Sequence, residues 1–278
     1  MTNDFEARLT ATLGAATENI RRTMAASIRP APKVELPMSL RETLAKAVAP
    51  LLPVLERLDA VMPGNWRGQR LDYRDMVRLM QEGVPLAWVP PADVIRQLLA
   101  ADGASSRSKV IDDCRPEILA SCREAMAEVT DQRLAAQREL LEECARAIES
   151  GMFSSAQALA ANVWDTLMRG IAFANPDLLT SKGTWSYGHI KRNVPSVKSE
   201  EDATIGEFRR AVVFLPLAKT LEEFWHPRPV PPSFNRHATA HATGSVQYTA
   251  SNAMTALMLA VSVLSEIDDQ AYVVRIHA

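Results

Sequence analysis

An arginine and two histidines lie close together in the segment NRHATAH, which ends at His241. Arg236 directly precedes His237, and His241 follows His237 by four residues. On a helix, positions i and i+4 lie one above the other, so the two imidazoles would share a face with the guanidinium beside them. This spacing predicts that Arg236, His237 and His241 converge on one reacting group.

These residue types suit the cleavage of a phosphodiester in RNA. A neutral imidazole can take the proton of a 2′-hydroxyl, and an imidazolium can protonate the leaving oxygen. The guanidinium matches phosphate oxygens and stabilises charge that develops in the transition state, so the reaction needs no metal ion or other cofactor. The same residues would equally cap a helix and hold the proline-rich segment before it, and the residues alone leave both interpretations open.

Other chemistries fit the sequence poorly. His237 and His241 have the i, i+4 spacing of a helical zinc site, but Ala238 stands where a metalloprotease has glutamate, and no acidic residue lies between His226 and His241. GxSxG, phosphate-binding P-loop and GxGxxG motifs are absent from the sequence. We therefore expect no metal site and no cofactor.

The composition predicts helices as the elements that position this motif. Alanine, leucine, arginine and glutamate dominate the 278 residues, aromatic residues make up 6%, and alternating β-branched residues are scarce. The fold class expected is all-α. The formal charge of −2 excludes a global basic field, so an RNA partner must be bound by a local patch.

The N-terminal part is expected to form a smaller helical region over residues 1–105, of unknown role. Helices are predicted over residues 4–28, from Ser39 toward Met62, over 72–81 and over 93–101, and a polar break follows at 102–106. Its start lacks the apolar stretch of a secretory signal, and no run reaches the length of a membrane span. We expect a cytoplasmic protein that does not bind membranes.

Residues 106–278 are expected to form an antiparallel helical bundle. One or two long helices over 109–150 precede a helix that starts after Gly151 and ends at Asn175-Pro176. A surface loop over 177–203 carries Trp185 and Tyr187, which could stack on bases. A kinked helix over 204–224, an extended proline-rich segment and an apolar helix over 249–267 complete the pattern.

The Arg-polar-x3-His arrangement, placed before an apolar C-terminal helix and after a helical hairpin, resembles the Rx4-6H motif of the HEPN superfamily. The likeness covers roughly residues 130–278, whereas residues 1–105 resemble only uncharacterised bacterial proteins. It implies a metal-independent ribonuclease, often a toxin or a phage-defence effector, with its site formed by two protomers of a homodimer. An antitoxin or regulatory protein is a further implied partner.

The resemblance implies a role for each residue of the motif. Arg236 would contact the scissile phosphate, His241 would act as general acid or base, and His237 would orient or assist. Weaker candidates for substrate binding are Asn235, Arg228 and Tyr248. The alternative is a non-catalytic helical module for dimerisation or for binding RNA or protein, with structural histidines and with the last helix as the dimer interface.

Overall fold

The computed structural model describes residues 62–189 and 212–269. The regular structure within these ranges is helical throughout, which confirms the all-α prediction for this part of the chain. The helices predicted over residues 4–28 and from Ser39 onward lie outside it. Nine α-helices lie wholly within the described ranges: α1 (Tyr73–Gln81), α2 (Ala92–Ala100), α3 (Gly103–Asp113), α4 (Arg115–Glu128), α5 (Ala135–Glu149), α6 (Phe153–Ala174), α7 (Leu217–Thr220), α8 (Arg236–His241) and α9 (Ala250–Asp268).

The predicted helical hairpin is formed by α5 and α6, and a glycine makes the turn between them. Gly151 has a φ of +74°, a conformation that side chains with a Cβ rarely adopt. The N–H of Gly151 donates to the Ile148 carbonyl at 3.0 Å, and that of Met152 donates to the Ala147 carbonyl at 2.8 Å. This pair of bonds is a Schellman motif, which ends α5 and starts α6 within three residues.

Helix α9 is the centre of the bundle. It packs against α6, α5, α4 and α3, and every residue from Ser251 to Ile267 is buried. Its length and hydropathy would also suit a membrane span, but 89% of the apolar window is buried inside the protein, as in the core helix of a soluble protein. Because the chain's own helices cover α9, this helix presents no open face to a second copy.

The division of residues 102–150 differs from the prediction. The expected polar break at 102–106 is the start of α3, and three helices rather than one or two cover 109–150. Pro116 accounts for one division, because it occupies the first turn of α4, where its missing N–H is tolerated. Asp131 accounts for the other, because its carboxylate accepts the Arg133 N–H at 2.9 Å and starts a 3-10 turn before α5.

The prediction of a kinked helix over 204–224 is also wrong for residues 212–224, the part of this range that the structure describes. Residues 212–216 form turns, and only α7, with four residues, is helical in this stretch. Pro216 stands immediately before α7, where a proline is compatible with a helix start. Residues 204–211 lie outside the described ranges.

Residues 63–105 belong to the same compact unit as the helices that follow, so this unit extends beyond the boundary predicted between residues 105 and 106. The segment between α1 and α2 makes the connection. The Trp88 Nε1–H donates to Glu266 Oε2 at 2.8 Å, and the Ser262 hydroxyl donates to the Ala87 carbonyl at 2.6 Å. The acceptor Glu266 and the donor Ser262 of α9 are both buried, so the two bonds join this segment to the centre of the bundle.

Candidate functional site

The motif forms a short helix of its own. The sequence predicts the motif before the last long helix, and in the structure α8 ends at His241 and residues 242–249 separate it from α9. Asn235 caps α8, because its Oδ1 accepts the Ala238 N–H at 2.8 Å. Ala238 packs with Phe224 and Ala242 in a small apolar cluster, which fixes the inner face of α8.

Arg236 extends from the first turn of α8 to the side of α6. Its Nη2 donates to Asn162 Oδ1 at 3.3 Å and lies 3.9 Å from Asp165 Oδ2. The Arg236 side chain is 17% exposed, so it is largely held within the protein while its edge still reaches solvent.

His237 lies against a tyrosine from the segment that follows α6. The rings of His237 and Tyr187 meet edge to face, with centroids 5.0 Å apart. The Tyr187 hydroxyl in turn donates to Asp165 Oδ1 at 2.5 Å. The carboxylate that faces Arg236 therefore also orients the ring that packs on His237.

A second arginine completes this arrangement. Arg169 donates from Nε to Asp165 Oδ2 at 2.8 Å and from Nη2 to the Tyr187 hydroxyl at 3.4 Å. Its guanidinium lies over the rings of Trp185 and Tyr187, at 5.1 and 5.8 Å from their centroids. We call Asp165, Arg169, Trp185, Tyr187, Arg236 and His237 the Asp165 cluster.

The environment of the Asp165 cluster favours the protonated form of its tyrosine. Partial burial raises the pKa of Tyr187 above 10.0, and the hydrogen bond to the Asp165 carboxylate and its negative charge raise it further. The phenol therefore remains a hydrogen-bond donor across the physiological range of pH.

His241 makes none of these contacts. It stands at the C-terminal end of α8 and is exposed, and its side chain forms no hydrogen bond or ion pair with the described residues. The structure thus brings Arg236 and His237 into one cluster and leaves the His241 imidazole open to solvent on the same short helix.

The three weaker candidates lie in different surroundings. Asn235 is buried, and its Nδ2 donates to the Glu222 carbonyl at 2.8 Å in addition to the cap. The Tyr248 hydroxyl donates to the Thr239 carbonyl at 2.5 Å. Both side chains hold α8 in place, whereas Arg228 is exposed and its guanidinium forms no hydrogen bond or ion pair with a described residue.

Sequence reasoning missed a buried glutamine that joins the motif to the bundle. Gln247 Oε1 accepts the Asn235 N–H at 3.0 Å, and its Nε2 donates to the Pro231 and Ser233 carbonyls. Gln157 of α6 donates to both Gln247 Oε1 and the Thr239 hydroxyl. Nothing in the loop sequence around Gln247 signals this role.

Asp165 and Arg169 were missed as well, although their i, i+4 spacing on α6 is a pattern that typically forms an ion pair. Among the residues the structure describes, no three His, Cys, Asp or Glu side chains group as metal ligands. The Asp165 carboxylate faces the guanidinium groups of Arg169 and Arg236. Two cations so close together suit the binding of an anionic ligand.

No protein-family model matches the sequence, and no curated protein and no solved structure matches it either.

Proposed function

We propose that the protein is a metal-independent endoribonuclease of the HEPN type whose substrate contacts α8. Arg236 binds the scissile phosphate, His241 transfers a proton as general acid or base, and His237 orients or assists. RNA is the partner that this chemistry requires.

The arrangement of α8 carries this proposal. His241 is exposed and unengaged within the described ranges, so its imidazole is free to exchange a proton with a substrate. Arg236 lies on the same helix, and Asp165 and Asn162 hold its guanidinium without fully burying it. A positioned cation and an available imidazole on one short helix are groups that phosphodiester cleavage uses when no metal takes part.

In the proposed reaction the 2′-hydroxyl of the RNA attacks the adjacent phosphorus. A base removes the 2′-hydroxyl proton, the new O–P bond forms, and the bond to the 5′-oxygen of the next nucleotide breaks. An acid gives that oxygen a proton, so the products are a 2′,3′-cyclic phosphate and a 5′-hydroxyl. Arg236 stabilises the negative charge that grows on the phosphate oxygens.

We place the complementary proton-transfer group on a second copy of the chain, as the HEPN likeness implies. The proposed homodimer would pair two α8 helices rather than two α9 helices, because α9 is buried within the chain. A toxin or phage-defence role in the cytoplasm, with an antitoxin or regulatory protein that covers α8, belongs to the same proposal.

RNA cleavage by the wild type and His241→Ala in the presence of EDTA tests the proposal. His226→Ala is the matched control, because His226 is another exposed histidine and it packs on Phe224 outside the motif. We expect the wild type and His226→Ala to cut single-stranded RNA or tRNA and to leave 2′,3′-cyclic phosphates. We expect His241→Ala to lose this activity by two or more orders of magnitude while it keeps the wild-type helix content.

Equal cleavage by His241→Ala and the wild type would contradict the assignment of His241. Activity that disappears with EDTA would contradict the metal-independent mechanism. If all three proteins are folded and none cuts RNA, the alternative of a non-catalytic binding module replaces the proposal; the exposed Trp225 and Val246, 62% and 51% accessible, then offer surfaces for a partner.

A further inference from the structure

Two guanidinium groups share a single carboxylate in the Asp165 cluster. The Nε of Arg169 and the Nη2 of Arg236 both face Asp165 Oδ2, at 2.8 and 3.9 Å. Asp165 is only 13% exposed, less than Arg169 at 40% and Arg236 at 17%. Because one negative charge offsets only one of the two positive charges, the cluster keeps an excess positive charge toward solvent.

Arg169 has donors left over and is held in a fixed position. Its Nε and Nη2 bond to Asp165 and Tyr187, but Nη1 donates to no group in the described ranges. The side chain is 40% exposed, so these donors are accessible. Its contacts with the rings of Trp185 and Tyr187, together with the two hydrogen bonds, hold the guanidinium in place, which lowers the entropy lost when it binds a ligand.

We propose that Arg169 binds a second phosphate of the RNA, next to the phosphate that Arg236 contacts. This inference rests on the proposed function. The two arginines would then form a clamp for two neighbouring phosphates of one strand, and the rigid fork of Arg169 suits bidentate contact with phosphate oxygens. Arg169 binds substrate in this scheme and takes no part in proton transfer.

Phosphate fits this position better than a protein carboxylate does. Arg169 and Arg236 are joined through Asp165, so a ligand of Arg169 lies beside the ligand of the motif arginine. Consecutive phosphates of a nucleic acid present two anions at a regular spacing along one chain. A single-stranded RNA that enters the motif can therefore satisfy both guanidinium groups at once.

Binding is tested with the full chain carrying His241→Ala, so that cleavage does not interfere. A fluorescein-labelled single-stranded RNA of mixed sequence is titrated by fluorescence anisotropy at several salt concentrations. On this background, Arg169→Gln is compared with Arg146→Gln, which removes an equal charge from an exposed position on α5. We expect Arg169→Gln to weaken binding roughly 10- to 100-fold, as expected for a lost charge-assisted hydrogen bond.

The salt dependence identifies the phosphate contact. Arg169→Gln should lower the slope of log affinity against log salt by about 0.7, the value for one lost phosphate contact on a single strand. Arg169→Lys should keep the slope, because the charge remains, and should recover only part of the affinity, because the fork is lost. Arg146→Gln should leave both quantities at their reference values.

Equal affinities and slopes for Arg169→Gln and Arg146→Gln would overturn the inference, even if the wild type cuts RNA. A weaker affinity with an unchanged slope would also overturn it, because it would indicate a structural disturbance rather than a lost phosphate contact. If the wild type does not cut RNA but binding depends on Arg169 as expected, the phosphate site stands and the proposed catalysis fails.

Discussion

The candidate site depends on Asp165, because three side chains interact with its carboxylate. Tyr187 donates to Oδ1 of this carboxylate and Arg169 donates to Oδ2. Arg236 also approaches Oδ2. A hydrogen bond to a charged acceptor contributes more than a neutral one, about 1.5–3 kcal/mol. The orientation of Arg236 and the packing of His237 therefore both rely on a residue outside the motif.

Replacing Tyr187 with phenylalanine isolates one of these bonds. Tyr187→Phe keeps the ring that packs on His237 and removes the hydroxyl that donates to Asp165 at 2.5 Å. We expect the free energy of unfolding to fall by about 1.5 kcal/mol at neutral pH, toward the lower end of that range because the ring is only partly buried. Urea unfolding followed by circular dichroism measures this difference.

The pH dependence of this difference has a definite sign. The folded protein raises the pKa of Tyr187 above its unfolded value, chiefly through burial, so the bond contributes fully below pH 10. The contribution is lost as the pH rises through the folded pKa. Above pH 10 the free energy of unfolding of the wild type should therefore approach that of Tyr187→Phe. A gap between the two proteins that stays constant to higher pH would contradict the proposed role of the hydroxyl.

At the scale of single residues, the sequence predicted the motif but not its support. Arg236 and His237 are adjacent in the chain, and the i, i+4 pair of Asp165 and Arg169 follows a local helical rule. The contact of Tyr187 with His237 has no local signal, because the two residues are far apart in the chain and meet only through the packing of α8 against α6.

The six-residue helix α8 is too short to be stable by itself, since isolated helices of that length are marginal in water. Its position depends on polar groups at its ends, above all on Asn235 and Gln247. The sequence predicted the start of α9 at Thr249, and the structure places the first helical residue at Ala250. Thr249 caps α9, and its hydroxyl accepts the Asn252 N–H at 3.1 Å.

Variants of Asn235 test how α8 is held. Asn235→Ala removes the cap and also the donor to the Glu222 carbonyl, so we expect a loss of about 2–3 kcal/mol in unfolding free energy. Asn235→Ser can keep the cap but not the second bond, and its loss should be about half as large. Denaturant unfolding of the three proteins measures the series, and equal stability of Asn235→Ala and the wild type would show that α8 is held by other groups.

At the scale of the whole molecule, one core joins residues on both sides of the boundary that the sequence predicted between 105 and 106. Composition and periodicity identified the helices on each side, including α1, α2, α6 and α9. They could not show that the segment between α1 and α2 packs against α9, because periodicity reports which face of a helix is buried and not which element buries it. The bonds from Trp88 and Ser262 are long-range contacts of this kind.

A pair of cavity-forming substitutions tests this single core. Leu86 lies between α1 and α2, Leu257 lies in the middle of α9, and both side chains are fully buried. Leu86→Ala and Leu257→Ala should each lower the unfolding free energy by about 2–5 kcal/mol, and both should shift the same cooperative transition. If the two halves unfolded independently, as the predicted boundary implies, Leu86→Ala would move one transition and Leu257→Ala another. The two variants, unfolded in urea beside the wild type, distinguish one cooperative unit from two.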